Sequence, residues 1–195
     1  MMFDLTRTLP DSIVFEGKRW RLRLAFNTVL EVLALLKDPV LFDREKQTLA
    51  LAMLCRDKNP PPDLLSAIFD ECISFTKKTE HQGLRCVDFL QDGAYIYASF
   101  MADYGIDLTT ERDNLHWWQF MALFQGLSEK TKMREVMRIR REPIPHANKH
   151  NGEYIANLIS LKQYYALDIS QEEREQNFRR GLAGLADALK ARAEA

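Results

Sequence analysis

The sequence predicts a mainly α protein: a helical bundle with an N-terminal β-hairpin and a C-terminal helical extension. Three observations lead there. After Leu24, apolar residues recur at three- and four-residue spacing through most of the chain, the period of amphipathic helices. Before that point, Arg19-Trp20-Arg21-Leu22-Arg23-Leu24 alternates charged and apolar residues, the period of a half-buried strand. Near the middle, Leu115, Trp117, Trp118, Phe120, Met121, Ala122, Leu123, Phe124 and Leu127 leave almost no polar face. A helix that is apolar all round is buried on all sides, so 115–125 is expected to be the central helix.

At 195 residues, with 46% hydrophobic and 28% charged residues, the chain can build a real core. The composition shift after Arg141 divides it into a helical core domain with the hairpin, 1–142, and a helical extension, 143–195. A formal net charge of -1 gives no global attraction to nucleic acid or an anionic membrane. Residues 1–10 carry no signal-peptide core, and no apolar run is long enough to cross a bilayer. Cys55, Cys72 and Cys86 are odd in number, widely spaced and set among apolar neighbours, as in a reduced, cytoplasmic protein.

In order, Ile13-Val14-Phe15 and the alternating run pair across Glu16-Gly17-Lys18, with Gly17 supplying the turn. A lone hairpin is marginal in water, so it must lie on helices. Arg19, Arg21 and Arg23 read as a solvated strand face. Phe26, Val29, Leu30, Leu33 and Leu36 form a first helical stripe, ended by Lys37-Asp38-Pro39. Asp43 caps a second helix carrying Leu49, Leu51, Leu54 and Cys55. Pro60-Pro61-Pro62 is a stiff break, and Leu64, Leu65, Ile68, Cys72 and Phe75 mark a third helix before the polar stretch 77–83. Phe89, Gly93, Ile96, Tyr97, Phe100 and Tyr104 give a fourth, in which Gly93 suggests tight packing and Gly105 the end. After the central helix, Gly126 is expected to be a left-handed C-terminal residue, with Ser128 capping a helix that carries Met133, Val136 and Met137. Pro143 and Pro145 break that helix. Tyr154, Ile155, Leu158, Ile159, Leu161 and Tyr165 form a seventh face. Phe178, Leu182, Leu185 and Leu189 then form a narrow seam too thin to hold a helix alone in water.

The chemistry-bearing residues do not converge. His146 and His150 stand four apart without the glutamate of a zinc-protease helix, so they read as a polar loop. Cys72, His81 and Cys86 match no zinc module spacing. His116 opens the central helix but has no nucleophile at a recognisable spacing. Asp88 and Asp92 read as helix-start carboxylates favoured by the macrodipole. No phosphate-binding loop or dinucleotide-binding glycine pattern occurs. The expectation is a protein that is not an enzyme and needs no metal and no cofactor. Lys130, Lys132, Arg134, Arg138, Arg140 and Arg141 make a basic helix, the best nucleic-acid signal in the chain. Glu129, Glu135 and Glu142 dilute it. A solvated face or an acidic protein partner is favoured, and a small nucleic-acid-binding regulator using 130–141 is the alternative.

One resemblance is more specific than any of these motifs. Gln91-Asp92, Tyr95-Ile96-Tyr97-Ala98-Ser99-Phe100 and Asp103-Tyr104-Gly105-Ile106-Asp107-Leu108 occur in order. They are followed by Leu115-His116-Trp117-Trp118-Gln119-Phe120, Leu123, Gly126-Leu127, Thr131 and Ile139-Arg140. Together they resemble the phage gene-product-fifteen family of tailed phages and prophages of Gram-positive bacteria, over roughly 10–190. Such genes tend to lie between those for the major tail protein and the tape measure protein, where long-tailed phages encode tail assembly chaperones. The resemblance implies a virion morphogenesis factor in the host cytoplasm that binds tape measure or tail-tube protein. Self-association is also open, no membrane partner is expected, and nucleic acid is disfavoured as a partner. It brings no catalytic residues. The partner-binding candidates are Phe178, Leu182, Leu185 and Leu189 of the seam and Arg138 and Arg141 of the basic helix.

Overall fold

The computed structural model describes residues 6, 8–74, 86–146, 148 and 150–168. Among them the architecture is mainly helical, as the periodicity predicts. β1 (Ser12–Phe15) and β2 (Lys18–Arg21) pair antiparallel. Then come α1 (Phe26–Lys37), α2 (Asp43–Leu54) and α3 (Leu64–Ile68), which continues into a π-helical turn (Phe69–Ile73). α4 (Gly93–Tyr104), α5 (Trp117–Gly126), α6 (Lys132–Arg141) and α7 (Gly152–Tyr164) follow. The chain divides into two compact units, Met1–His146 and Ala147–Ala195. α7 belongs to the second, and the elements before it to the first. None of the described helices is long and apolar enough to cross a membrane.

The hairpin turn uses positive φ at Glu16 (50°) and Gly17 (74°), the mirror-image turn whose twist suits two strands. β2 is shorter than the alternation suggests. The chain beyond it stays extended and serves as a strap. On one side Arg23 N–H donates to the Leu54 carbonyl and Arg56 N–H to that of Arg21. On the other, Trp117 N–H donates to Leu24 and Phe26 N–H to Leu115. The strap therefore joins the end of α2 to the start of α5. Arg21 and Arg23 are not merely solvated: Arg21 forks onto Asp57, and Arg23 caps the end of α2 through the Ala52 and Cys55 carbonyls.

Several helix ends differ from expectation for identifiable reasons. Phe42 is the N-cap of α2, its N–H taken by Glu45, so Asp43 is the first helical residue. α4 starts at Gly93, with Phe89 in the preceding turn. An added Cβ on Gly93 would meet nothing within 4 Å, so this glycine answers to no tight packing. Gly105 does adopt the left-handed conformation, φ 65°. Gly126 does not. It is the last residue of α5, and its missing side chain admits the Tyr104 hydroxyl, which would lie 3.1 Å from a Cβ and donates to the Leu123 carbonyl. Thr131, not Ser128, is the N-cap of α6.

Candidate functional site

Four arrangements of polar or aromatic groups stand out, all within the first unit. The first is the tryptophan pair. The spacing puts Trp118 on the core side of α5 and Trp117 a hundred degrees around, yet both are buried. Trp117 stacks on Phe120, with centroids 5.7 Å apart. Trp117 Nε1 donates to the Ile73 carbonyl at 2.9 Å, and Trp118 Nε1 to Cys72 at 2.6 Å. The two indoles thus complete the hydrogen bonding at the end of the π-helical turn, where carbonyls have no helical partner. Burial also raises the Cys72 thiol to about 11, which keeps it protonated and unreactive near neutrality.

His116, the N-cap of α5, is the second. Its Nδ1 accepts from Trp118 N–H at 3.1 Å, while Nε2 lies 3.0 Å from the Pro10 carbonyl. That pair of contacts fits a neutral ring with its proton on Nε2. The Gln119 side chain accepts from His116 N–H and completes a reciprocal cap. Burial holds the ring's pKa below its ordinary value. Asp11, Arg23, Arg56 and Asp113 line the same hollow. Protonation would place a second donor against Trp118 N–H. Because the folded pKa lies below the unfolded one, the neutral cap is intact above pH ~6.5, and stability is lost as pH falls from there through the folded value. Urea midpoints should therefore drop between neutral pH and pH ~5. His116→Asn, a good N-cap that does not titrate in this window, should remove that component. An unchanged drop in the variant would assign it to other groups.

The third arrangement runs along the antiparallel pair α4 and α6. Asp103 accepts from Ser128 N–H and Oγ, Ser99 Oγ accepts from Met133 N–H, and Asp92 accepts a forked pair of bonds from Arg140, each 2.7 Å. Asp92 is 1% exposed and the Arg140 side chain 9%. Asp92 also takes the Asp88 N–H, while Asp88 pairs with Lys37 of α1 and accepts from Leu90 and Gln91 N–H. Arg140 thus departs from the solvated face its neighbours suggested. Three of the four remaining basic residues of α6 are locally compensated: Lys132 pairs with Glu135, Arg134 with Glu129 and Arg138 with Glu142. Arg138 and Arg141 line an open hollow of about 570 Å³ with Met137, and Arg141 Nε reaches Cys86 Sγ at 3.2 Å.

The fourth is a groove of about 350 Å³ between α1 and α4, both of which pack on α5. Phe120 lies at its base, Leu30 and Ala34 on the α1 side, and Leu90, Gly93 and Tyr97 on the other. An Arg112–Glu31 ion pair, half-exposed, stands at its rim. Beside it Asn27 and Asp113 exchange hydrogen bonds, fixing the loop between α4 and α5 onto α1. The sequence reading missed the groove and both polar pairs. Asn27 lies 86 residues from Asp113, and Asp92 lies 48 from Arg140, so no local spacing could signal them.

Of the seam, Phe178, Leu182, Leu185 and Leu189 fall outside the described residues, as does His81. Among the described residues no cluster of three histidine, cysteine, aspartate or glutamate side chains could hold a metal ion.

Comparison with known proteins gives one match: a family model described as Bacteriophage Gp15 protein, over residues 5–167. No curated protein and no solved structure matches the chain.

Proposed function

The chain belongs to the Bacteriophage Gp15 protein family, and from that membership we propose that it is a tail morphogenesis factor acting by binding, without catalysis, in the cytoplasm of the host bacterium. The family match carries the reading, because it covers most of the chain, α5 with its tryptophan pair included. The engaged state of the polar residues supports the non-catalytic part. His116, Asp92 and Arg140 are each held by structural partners. The pairing of Lys132, Arg134, Arg138 and Arg140 with carboxylates favours a protein partner over a nucleic acid, whose affinity would come from unpaired cations.

The partner proposed is the tape measure or tail-tube protein. A long helical tape measure protein suits repeated weak contacts that gain strength through multivalency. The apolar seam Phe178, Leu182, Leu185 and Leu189 supplies anchors at groove-binding spacing. Arg138 and Arg141 are the proposed polar contacts. Deleting 170–195 should leave the first unit's thermal melt in place and reduce co-purification of tape measure protein from cells making both. Full-length protein that captures neither tape measure nor tail-tube protein would overturn the assignment.

A further inference from the structure

From Lys18 to Leu30 the chain holds four basic residues and no acidic one. Three of them, Arg19, Arg21 and Arg23, alternate with the buried Trp20, Leu22 and Leu24, so they share the outer face of the hairpin and strap. Pairing adds to that face. Val14, 64% exposed, stands opposite Arg19, and Ser12 opposite Arg21. Leu22 bridges Cys55, which sets Arg56 across from Arg21 on the strap's other side. Four guanidinium groups thus gather over a few strand positions in a chain whose formal net charge is -1. Like charges so placed repel one another. One carboxylate on the face answers them: Asp57 Oδ1 accepts from Arg21 Nε and Nη2, and Oδ2 accepts the Arg21 N–H at 2.7 Å. Arg19 and Arg56 make no ion pair and no side-chain hydrogen bond among the described residues, and Arg23 commits only Nη2. At the borders Asp11 is bonded to Ser12, Asp113 to Asn27, and Glu16 sits in the turn, while Lys18 and Lys58 add positive charge, so the excess stays positive.

We infer that this face docks an extended acidic segment of a partner protein, one whose carboxylates stand on alternate residues. Alternate residues of a strand repeat at about 6.6–6.8 Å, so Arg19, Arg21 and Arg23 keep step with such carboxylates along the segment. Each guanidinium can then take a carboxylate with two donors, and the Arg21–Asp57 contact is this face's own example. Val14 offers the segment an aliphatic contact between the charged groups. A single-stranded nucleic acid would gain its affinity from bases stacked on exposed rings as well as from cations, and Trp20, the aromatic residue of β2, is buried. The charges lie in water, so the association is salt-sensitive and its gain is in encounter rate and partner choice. The face uses none of the residues proposed above to hold tape measure protein, so its test is independent of the tail-assembly reading.

The test uses the full chain and a fluorescently labelled peptide in which glutamate alternates with threonine and valine, followed by anisotropy. Wild type should bind it saturably, and added sodium chloride should weaken the binding. Arg19→Glu and Arg56→Glu should each lower the affinity about tenfold or more, since both side chains are uncommitted in the fold. Arg44→Glu makes the same change in net charge about 15 Å along α2 from Leu54, beyond a Debye length, at a helix start that favours a carboxylate. It should leave the affinity within about twofold. A peptide of the same composition with its glutamates in one block should bind more weakly than the alternating one. Circular dichroism melts confirm folding, and Arg19→Ala and Arg56→Ala carry the same expectation in smaller measure should a reversal variant fail to fold. Wild type that does not bind, an equal loss in all three reversal variants, or equal binding of the two peptides would each overturn the inference. Tighter binding of an oligothymidylate of equal charge, lost in the same two variants, would also overturn it and give the face to nucleic acid.

Discussion

Arg140→Ala is expected to cost about 3–5 kcal/mol in urea denaturation at neutral pH, the range for removing one partner of a buried ion pair. The variant leaves the Asp92 carboxylate, 1% exposed, with the Asp88 N–H still donating to it, and takes a donor from the Cys86 carbonyl. The pair's own net contribution is a different quantity. Replacing both partners with apolar residues of similar volume should cost far less than Arg140→Ala, because it removes the stranded charge along with its partner. Arg140→Lys should recover only part of the loss, since an ammonium cannot reproduce the fork onto both carboxylate oxygens. A loss under about 1 kcal/mol for Arg140→Ala would mean that water reaches Asp92 once the guanidinium is gone.

Trp118→Ala should destabilise to a similar extent, about 3–5 kcal/mol, by opening a cavity the size of an indole in the core. Part of that loss is polar. The Cys72 carbonyl at the end of the π-helical turn would lose its donor. Trp118→Phe separates the two contributions: it keeps an aromatic ring and removes the N–H, so the hydrogen bond alone should appear as about 1 kcal/mol within its smaller total. The phenyl-for-indole volume loss adds to it. A Trp118→Ala loss below about 1 kcal/mol would place the side chain at the surface, available to a partner.

Local grammar in the sequence carried the element order. Alternation at Arg19–Leu24 marked the hairpin, Asp38-Pro39 the end of α1, and Gly105 a left-handed helix stop. Each is a signal that acts within a few residues. What stayed illegible is nonlocal. Gly126 looks like a helix terminator, but its lack of a side chain serves Tyr104, 22 positions earlier. Gly93 looks like a packing contact, but faces open space at a helix start. Arg140 shares a basic run with Arg138 and Arg141, and helical rotation alone turns it inward to a carboxylate on another helix. The tryptophan pair announced the core, while the carbonyls it would meet could not be read from a third helix that appeared regular. The groove arises from the way α1 and α4 rest on α5, which no single stripe encodes.

The extended strap has a consequence for biosynthesis. Leu24 accepts its hydrogen bond from Trp117, 93 positions later in the chain (117 minus 24), and Phe26 donates to Leu115. At ribosomal rates of ~5–20 residues per second, the second half of this clamp follows the first by about 5–19 s, before any delay in the exit tunnel. During that interval the hairpin and α2 can associate through Arg23 and Arg56, but the other edge of the strap has no α5 to accept it. The nascent chain therefore waits with one strand edge open and completes its core late, once the tryptophan pair has emerged. That places the vulnerable period for aggregation or chaperone capture in the stretch of translation between the two halves of the clamp.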